Sequence, residues 1–316
     1  MFDYAAEVAD FHAAFPEWRE KVFFVDMSPT SASLMKGALS DAGIAKAEKT
    51  IAEGALADII KKMQPLHQSF TVRFPDKKAY VVVDRAGKRR DMPKLMGAAT
   101  SADLENYNTF EHEVGHRATY KELPPEGSNE NLREGAADVY AAIRHIQRFG
   151  VDEHLKASAD LRAVELVFRP DEGRHFTTPV IDAIIAAAGS KDFTGVKPRE
   201  AARIAIGYAQ LNALEAGEVR SLAAEFKSVA GKLGIVAAGD LDPLRELALE
   251  LLTTSSPAAY KWGRRAFEAI LDGKAEVNGT VIRPKGAEWD ELRDEIAARA
   301  AEFQPKKPAP LRPGPK

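Results

Sequence analysis

The chain has 316 residues, a net charge of −3, and 45% hydrophobic and 29% charged residues, which is typical of a globular protein of one large domain or two lobes. Nucleic-acid-binding domains usually carry a basic excess, so this slightly acidic balance argues against a nucleic-acid partner. The lack of cysteine excludes disulfides and thiolate-bound metals, so a metal would have to bind His, Asp or Glu.

Neither a signal peptide nor a membrane anchor is recognisable. The first 21 residues have no basic start and no unbroken apolar core, because acids interrupt them at Asp3, Glu7 and Asp10. The most apolar run, residues 179–189, contains Asp182 and is too short to cross a bilayer. We therefore expect a cytoplasmic protein without a membrane partner, and export without a signal peptide stays open.

The first hundred residues mix two kinds of pattern. Helical periodicity predicts helices over 3–14 and within 31–63, and short runs rich in Val and Phe predict strands over 21–26, 69–74 and 79–84. Four polar residues join the last two strands and suit a hairpin turn.

Two basic segments lack regular periodicity. The loop 85–94 holds five basic residues, and we interpret it as a solvated loop, with a rim that attracts acidic substrates as the alternative. The tail 304–316 holds five prolines and four basic residues, which predicts an extended, disordered segment.

Beyond residue 100 the pattern is almost wholly helical. A capping box at 100–103 predicts a helix from about 101 to 120. After a proline break, Ser128 or Asn129 can cap a second helix over about 130–148 that ends near Gly150. The remaining predicted elements are helices near 153–167, 178–189, 197–215, 217–233, 243–253 and 256–272, a small hairpin at 276–284 and a last helix over 287–303.

The predicted helix 101–120 carries the pentapeptide HEVGH at 112–116. Four residues turn an α-helix by about 400° and raise it by about 6 Å, so His112 and His116 point the same way. Two imidazoles so placed can bind one zinc ion, with Glu113 beside it as a base for a metal-bound water. The alternative is a solvated helix face. Gly115 lets another backbone or a substrate approach closely.

A zinc hydrolase needs a third protein ligand, and two glutamates are candidates. Glu122 lies six residues after His116, the offset used by metzincins, but Thr119 stands where metzincins need a glycine, so we discount Glu122. Glu134 lies near the start of the following predicted helix, and Asp138 lies four residues further on.

The pattern HExxH, seventeen residues and then ExxxD resembles the gluzincin zinc metallopeptidases. The resemblance implies that Glu134 is the third zinc ligand and that Asp138 hydrogen-bonds the remote ring nitrogen of His112. It covers at most residues 104–146. Arg117 departs from it, because an uncharged residue usually follows the second histidine.

The same region is also similar to the metallopeptidase domain linked to repressor cleavage in bacterial mobile elements. Glu134, Ala137, Asp138, Tyr140 and Ala141 match its ExxA(N/D)x(F/Y)A pattern. The next residues, IRHI, differ from the LLMP-like segment usual in that family, so the subfamily stays open.

These patterns predict an α+β fold, in which a small antiparallel or mixed β-sheet packs on a zincin active-site helix pair. We expect a catalytic lobe over 1–150, a helical lobe over 151–303 and the disordered tail 304–316. We expect a zinc metallopeptidase, a hydrolase with one Zn²⁺ per chain, that acts on a peptide or protein substrate.

In this hypothesis Glu113 is the general base, and the peptide lies along the edge of strand 79–84. His175 is the first candidate for the oxyanion donor, followed by Tyr140 and Tyr208. The alternative is a regulatory or binding module with a structural or inactive zinc site. Cleavage specificity, endo- or exopeptidase action and oligomeric state stay open.

Overall fold

The computed structural model describes residues 2–26, 58, 69–73, 79–83, 94–95, 101–124, 129–227, 229, 241–273, 275–276 and 284–303. Four predicted segments lie wholly or almost wholly outside these residues: the helices within 31–63, the loop 85–94, the hairpin 276–284 and the tail 304–316.

Ten α-helices build most of the described part of the chain. They are α1 (Tyr4–Ala14), α2 (Ala102–Thr119), α3 (Glu130–Phe149), α4 (Glu153–Phe168), α5 (Thr178–Ala188), α6 (Pro198–Asn212), α7 (Ala216–Glu225), α8 (Asp242–Thr253), α9 (Pro257–Leu271) and α10 (Ala287–Arg299). Short 3-10 helices cover Pro16–Trp18, Tyr120–Glu122, Pro170–His175 and Ala300–Phe303.

Side-chain caps set the ends of the two helices that matter most for the site. The Ser101 hydroxyl accepts a hydrogen bond from the Leu104 amide at 3.2 Å, and the Asn129 side chain accepts one from the Leu132 amide at 3.1 Å. Helix α3 ends at Gly150, whose φ of 77° an ordinary residue rarely adopts. The predicted bounds of both helices are confirmed within about two residues.

A three-stranded sheet lies against α2. Its strands are β1 (Val22–Asp26), β2 (Phe70–Arg73) and β3 (Ala79–Val83), in the order β1-β3-β2. Strand β3 pairs in parallel with β1 and antiparallel with β2. The hypothesis that a peptide pairs with the edge of strand 79–84 is therefore wrong, because β3 is the central strand and both its sides are taken.

The prediction of an α+β fold was also wrong, because the described chain is mainly helical. Within the described residues no strand exceeds five residues, and the other two strands there, β4 (Lys94–Leu95) and β5 (Ala275–Glu276), form only a two-residue ladder. The sheet covers one side of α2, whereas helices surround α3 and build the rest of the described core. The three strands of this sheet were predicted correctly, but they are too short to form a layer across the fold, so the fold class inferred from them was wrong.

Helices α2 and α3 pack side by side in opposite directions. Tyr107 near the start of α2 donates to the Arg144 carbonyl near the end of α3, and Gly115 near the end of α2 meets Ala137. A Cβ atom at Gly115 would lie 2.8 Å from the Ala137 carbonyl oxygen, closer than real Cβ atoms come. Glycine at this position thus permits backbone-to-backbone contact, as the sequence led us to expect.

Two large apolar clusters hold the helices together. The first surrounds α2 and α3 and draws residues from both sides of position 150, among them Phe110, Ile143 and Val180. The second lies among α4, α7, α8, α9 and α10. Among the residues that the structure describes, no helix combines the length and apolar character needed to span a bilayer.

Candidate metal centre

Three potential ligand atoms converge between α2 and α3. The Nε2 atoms of His112 and His116 lie 3.1 Å apart, and the Glu134 Oε2 atom lies 3.4 Å from the first and 3.6 Å from the second. Within the described residues, these three side chains form the one cluster of His, Asp and Glu with metal-binding geometry. The helical spacing places the two histidines one turn apart, and the antiparallel packing brings the first turns of α3 to them.

The spacing of these atoms suits a small tetrahedral ion. Bonds of about 2.0–2.1 Å at tetrahedral angles place neighbouring ligand atoms about 3.3–3.4 Å apart. The Glu134 Oε2 atom is buried and makes no hydrogen bond of good geometry, although three ring nitrogens lie 3.2–3.6 Å away. A buried carboxylate oxygen with only long, poorly aligned contacts to donors is costly, and a shared cation would satisfy all three side chains at once.

His112 is oriented through its other ring nitrogen. Its Nδ1 atom lies 2.6 Å from the Asp138 Oδ1 atom, so Nδ1 carries the proton that Asp138 accepts and Nε2 is left to face Glu134.

Asp138 itself is held from two further helices. The Arg162 guanidinium on α4 donates from Nε to Oδ2 at 3.0 Å and from Nη2 to Oδ1 at 2.9 Å. The Thr177 hydroxyl at the start of α5 donates to Oδ2. Arg162 also donates from Nη1 to Glu165 at 2.9 Å, so its charge is shared by two buried carboxylates. The helices after residue 150 thus build part of the candidate site.

The three candidate ligands differ in pKa. Burial works against an ionised Glu134, but the neighbouring imidazoles hold its pKa well below the usual range. Burial also opposes a charge on His112, yet the Asp138 and Glu134 carboxylates raise its pKa to about 10, so a cation that binds Nε2 must displace a proton. Burial lowers the pKa of His116 to about 4, so this imidazole is neutral at pH 7 and can accept a cation.

Glu113 lies beside the cluster. Its side chain is buried, and the Thr71 hydroxyl on β2 lies 2.9 Å from its Oε2 atom and 3.0 Å from its backbone carbonyl oxygen. Burial raises the pKa of Glu113 to about 7, although the charges of His112 and His175 act against this shift. A carboxylate with a pKa near neutrality can both accept and return a proton at that pH.

His175 also reaches the cluster, from the 3-10 helix Pro170–His175. Its Nδ1 atom lies 3.2 Å from the Glu134 Oε2 atom, and its Nε2 atom accepts a hydrogen bond from the Arg174 Nε group at 3.1 Å. Asn131, one turn before Glu134 on α3, donates from its side-chain amide to the carbonyls of Arg174 and Phe176 at 3.1 and 2.7 Å. The helix that carries Glu134 therefore also holds the segment that carries His175.

The two other oxyanion candidates lie elsewhere. Tyr140 is 2% exposed in the apolar cluster, and the charges that act on its hydroxyl are those of Glu111 and Arg144. The Tyr208 hydroxyl accepts a hydrogen bond from Lys191 at 3.1 Å in an exposed region. Of the three candidates, His175 is therefore the one beside the ligand atoms.

Other side chains singled out from the sequence have other environments. Glu122 is exposed in the 3-10 helix Tyr120–Glu122 and does not belong to the cluster of ligand atoms. Arg117 is buried, with its guanidinium 4.6 Å from the centre of the Trp18 ring, and this cation–π contact accounts for a charge at that position.

Comparison with known protein families, with curated proteins and with solved structures gave no match. The likeness to zinc peptidases therefore depends on the motif and on the geometry of the cluster.

Sequence reasoning missed Arg162, Thr177 and Thr71. The Thr-Thr-Pro sequence at 177–179 is a helix-start signal, but it points to a cap and not to a contact with Asp138. Arg162 lies 24 residues after Asp138, and no spacing rule relates residues on separate helices at that distance in sequence. Thr71 lies in a short strand whose contact with α2 depends on the tertiary fold.

Proposed function

We propose that this chain is a zinc-dependent peptidase of the gluzincin type, in which His112, His116 and Glu134 hold one Zn²⁺ ion. The observation that carries the proposal is the convergence of three ligand atoms from two helices at separations of 3.1–3.6 Å. The bound ion would lower the pKa of a coordinated water toward 7 and polarise the carbonyl of a peptide bond.

Glu113 would act as the general base. Its carboxylate would take a proton from the attacking water and deliver that proton to the amine of the departing peptide. Its position supports this role, because the Glu113 side chain directly follows a candidate ligand in sequence and is buried beside the cluster. The Thr71 hydroxyl supports the assignment further, because it orients the carboxylate without neutralising it.

His175 fits a positioning role better than that of an oxyanion donor. One of its ring nitrogens faces the Glu134 carboxylate and the other accepts from Arg174, so neither is free for a developing oxyanion. In the proposed enzyme His175 would keep the Glu134 carboxylate directed at the ion.

Replacement of the base tests the proposal. Glu113→Gln should retain about one zinc per chain by elemental analysis and lose nearly all hydrolysis of a mixture of unstructured peptides by mass spectrometry, since base catalysis contributes about 10²–10⁴-fold. Glu122→Gln is the matched control, because it removes an exposed carboxylate from the same region and should leave both quantities unchanged. His116→Ala should lose the metal as well as the activity.

The alternative is a binding or regulatory module with a structural or inactive zinc site. Stoichiometric zinc in the unmodified protein, with no hydrolysis of any peptide in the mixture, would favour that module and reject the peptidase. The cytoplasmic location predicted from the sequence belongs to the proposal in either case.

A further inference from the structure

A cavity of about 460 Å³ is lined by residues close in sequence to the candidate metal centre, among them Asn131 on α3 and Arg174 beside His175. Its walls are the first turn of α3, the 3-10 helix Pro170–His175 and one face of α7. Cavities of about 300–1,000 Å³ commonly bind small ligands, so the space suffices for one amino-acid residue of a peptide.

The floor of this cavity is apolar. Val219 and Ala223 on α7 are 5% and 8% exposed and lie four residues apart on one helix face. They pack on Gly173, where an added Cβ atom would lie 3.0 Å from the Val219 Cγ1 atom. Such a floor suits an aliphatic side chain.

Cations dominate the rim. Arg174, Arg220 and Lys227 line the cavity together with two acids, Glu130 and Asp171. Arg220 lies on α7 and Lys227 lies two residues beyond its end, and both side chains are exposed. Neither forms an ion pair with another described side chain, so both can receive an anion.

One dipeptide connects the cavity to the cluster of ligand atoms. Arg174 lines the cavity, and its Nε group donates to His175, whose other ring nitrogen faces Glu134 at 3.2 Å. These two contacts and the imidazole ring between them place the Arg174 Nε group at most about 9 Å from the Glu134 Oε2 atom, the length of two to three extended residues.

We propose that this cavity binds the C-terminal residue of a peptide, with the terminal carboxylate held by Arg174, Arg220 and Lys227 and an aliphatic side chain on the apolar floor. The assignment of that peptide as substrate rests on the proposed function, whereas the binding of the carboxylate does not. A C-terminus held two to three residue lengths from the cluster would favour cleavage a few residues from the end of a chain.

Binding of N-acetyl-leucine to the full chain tests the proposal. The binding is measured by NMR titration, once with and once without a chelator. We expect saturable binding that is equal in both conditions, and about tenfold weaker binding of N-acetyl-leucinamide, which lacks the carboxylate. The α-amide of N-acetyl-glutamate, whose carboxylate is on a polar side chain, should also bind more weakly. Equal binding of the leucinamide, loss of binding with chelator, or tighter binding of the glutamate derivative would each overturn the proposal.

Charge reversal locates the site. Arg220→Glu should weaken binding of N-acetyl-leucine about tenfold, and Arg203→Glu, an exposed control on α6, should leave it unchanged. Equal effects of the two variants would overturn the assignment to this cavity. If N-acetyl-leucine binds as expected but no peptide is hydrolysed, the proposed carboxylate-binding cavity is supported and the proposed peptidase function is rejected.

Discussion

Arg162 contacts both carboxylate oxygens of Asp138, with its Nε and Nη2 groups at 3.0 and 2.9 Å. Asp138 in turn accepts from His112 at 2.6 Å, so a guanidinium on α4 sets the orientation of an imidazole on α2. The planar fork of arginine suits this two-point contact, and lysine cannot reproduce it.

Removal of this guanidinium should weaken metal binding without direct loss of a ligand. We expect Arg162→Met to reduce zinc affinity by about 10–100-fold, because partners of ligand histidines have effects of that size. Competition with a chromophoric chelator measures the affinity. The zinc affinity of Arg162→Lys should lie between those of the unmodified protein and Arg162→Met. The control Arg264→Met removes a surface ion pair with Glu268 and should bind zinc normally, and equal affinities of all four proteins would contradict the role assigned to Arg162.

Loss of the Thr71 hydroxyl should lower the turnover rate but should not change the zinc content. A hydrogen bond to a charged group contributes about 1.5–3 kcal/mol, so Thr71→Val should lower kcat about tenfold through misplacement of Glu113. Zinc content should remain that of the unmodified protein. Thr253→Val removes an exposed hydroxyl on α8 and serves as the control. A change in zinc content with unchanged kcat would show that Thr71 serves the site in another way.

The close contact between α2 and α3 predicts a strong effect of one methyl group. Gly115→Ala would place a Cβ atom 2.8 Å from the Ala137 carbonyl oxygen, so the helices must separate. We expect a loss of about 1–3 kcal/mol in the free energy of unfolding by urea, together with weaker zinc binding.

Gly207→Ala is the matched control for this change, because an added Cβ at Gly207 meets nothing within 4 Å on helix α6. It should raise stability by up to about 1 kcal/mol, since alanine favours the helix. Equal stability of the two variants would mean that the helices tolerate a wider spacing.

Asn131 should control the segment that carries His175. Asn131→Leu removes the donor for the carbonyls of Arg174 and Phe176 and should cost about 1–3 kcal/mol in thermal unfolding. It should also increase tryptic cleavage after Arg174, because that segment loses its attachment to α3. Asn212→Leu, which removes a single bond to the Tyr208 carbonyl, should cost less and leave this cleavage unchanged. Resistance to trypsin equal to that of the unmodified chain would contradict this attachment.

The local parts of the fold were predictable from the sequence because their signals are local. The caps Ser101 and Asn129 and the glycine after α3 set the bounds of the two central helices. The spacing of His112, Glu113 and His116 depends on helical periodicity alone, so the chemistry proposed for them follows from neighbours in sequence.

The non-local parts were not predictable in the same way. The sequence of strand 79–83 does not reveal whether the strand lies at the edge or in the centre of a sheet. We expected it at the edge, and it lies in the centre. The α+β class failed because recognised strands do not reveal how little of the core they build. The contacts of Arg162 and Thr177 with Asp138 depend on how α4 and α5 pack against α3, which periodicity does not specify.

The contact between Gly115 and Ala137 has a consequence for the order of events when an ion arrives. Main-chain atoms, which cannot adjust as side chains do, determine how far apart the two helices stand. The fold itself then holds the candidate ligand atoms in place, so binding of the proposed ion would require little further ordering of the chain. Stripping the metal should therefore leave the far-ultraviolet circular dichroism spectrum unchanged, unlike in small domains that fold only around zinc.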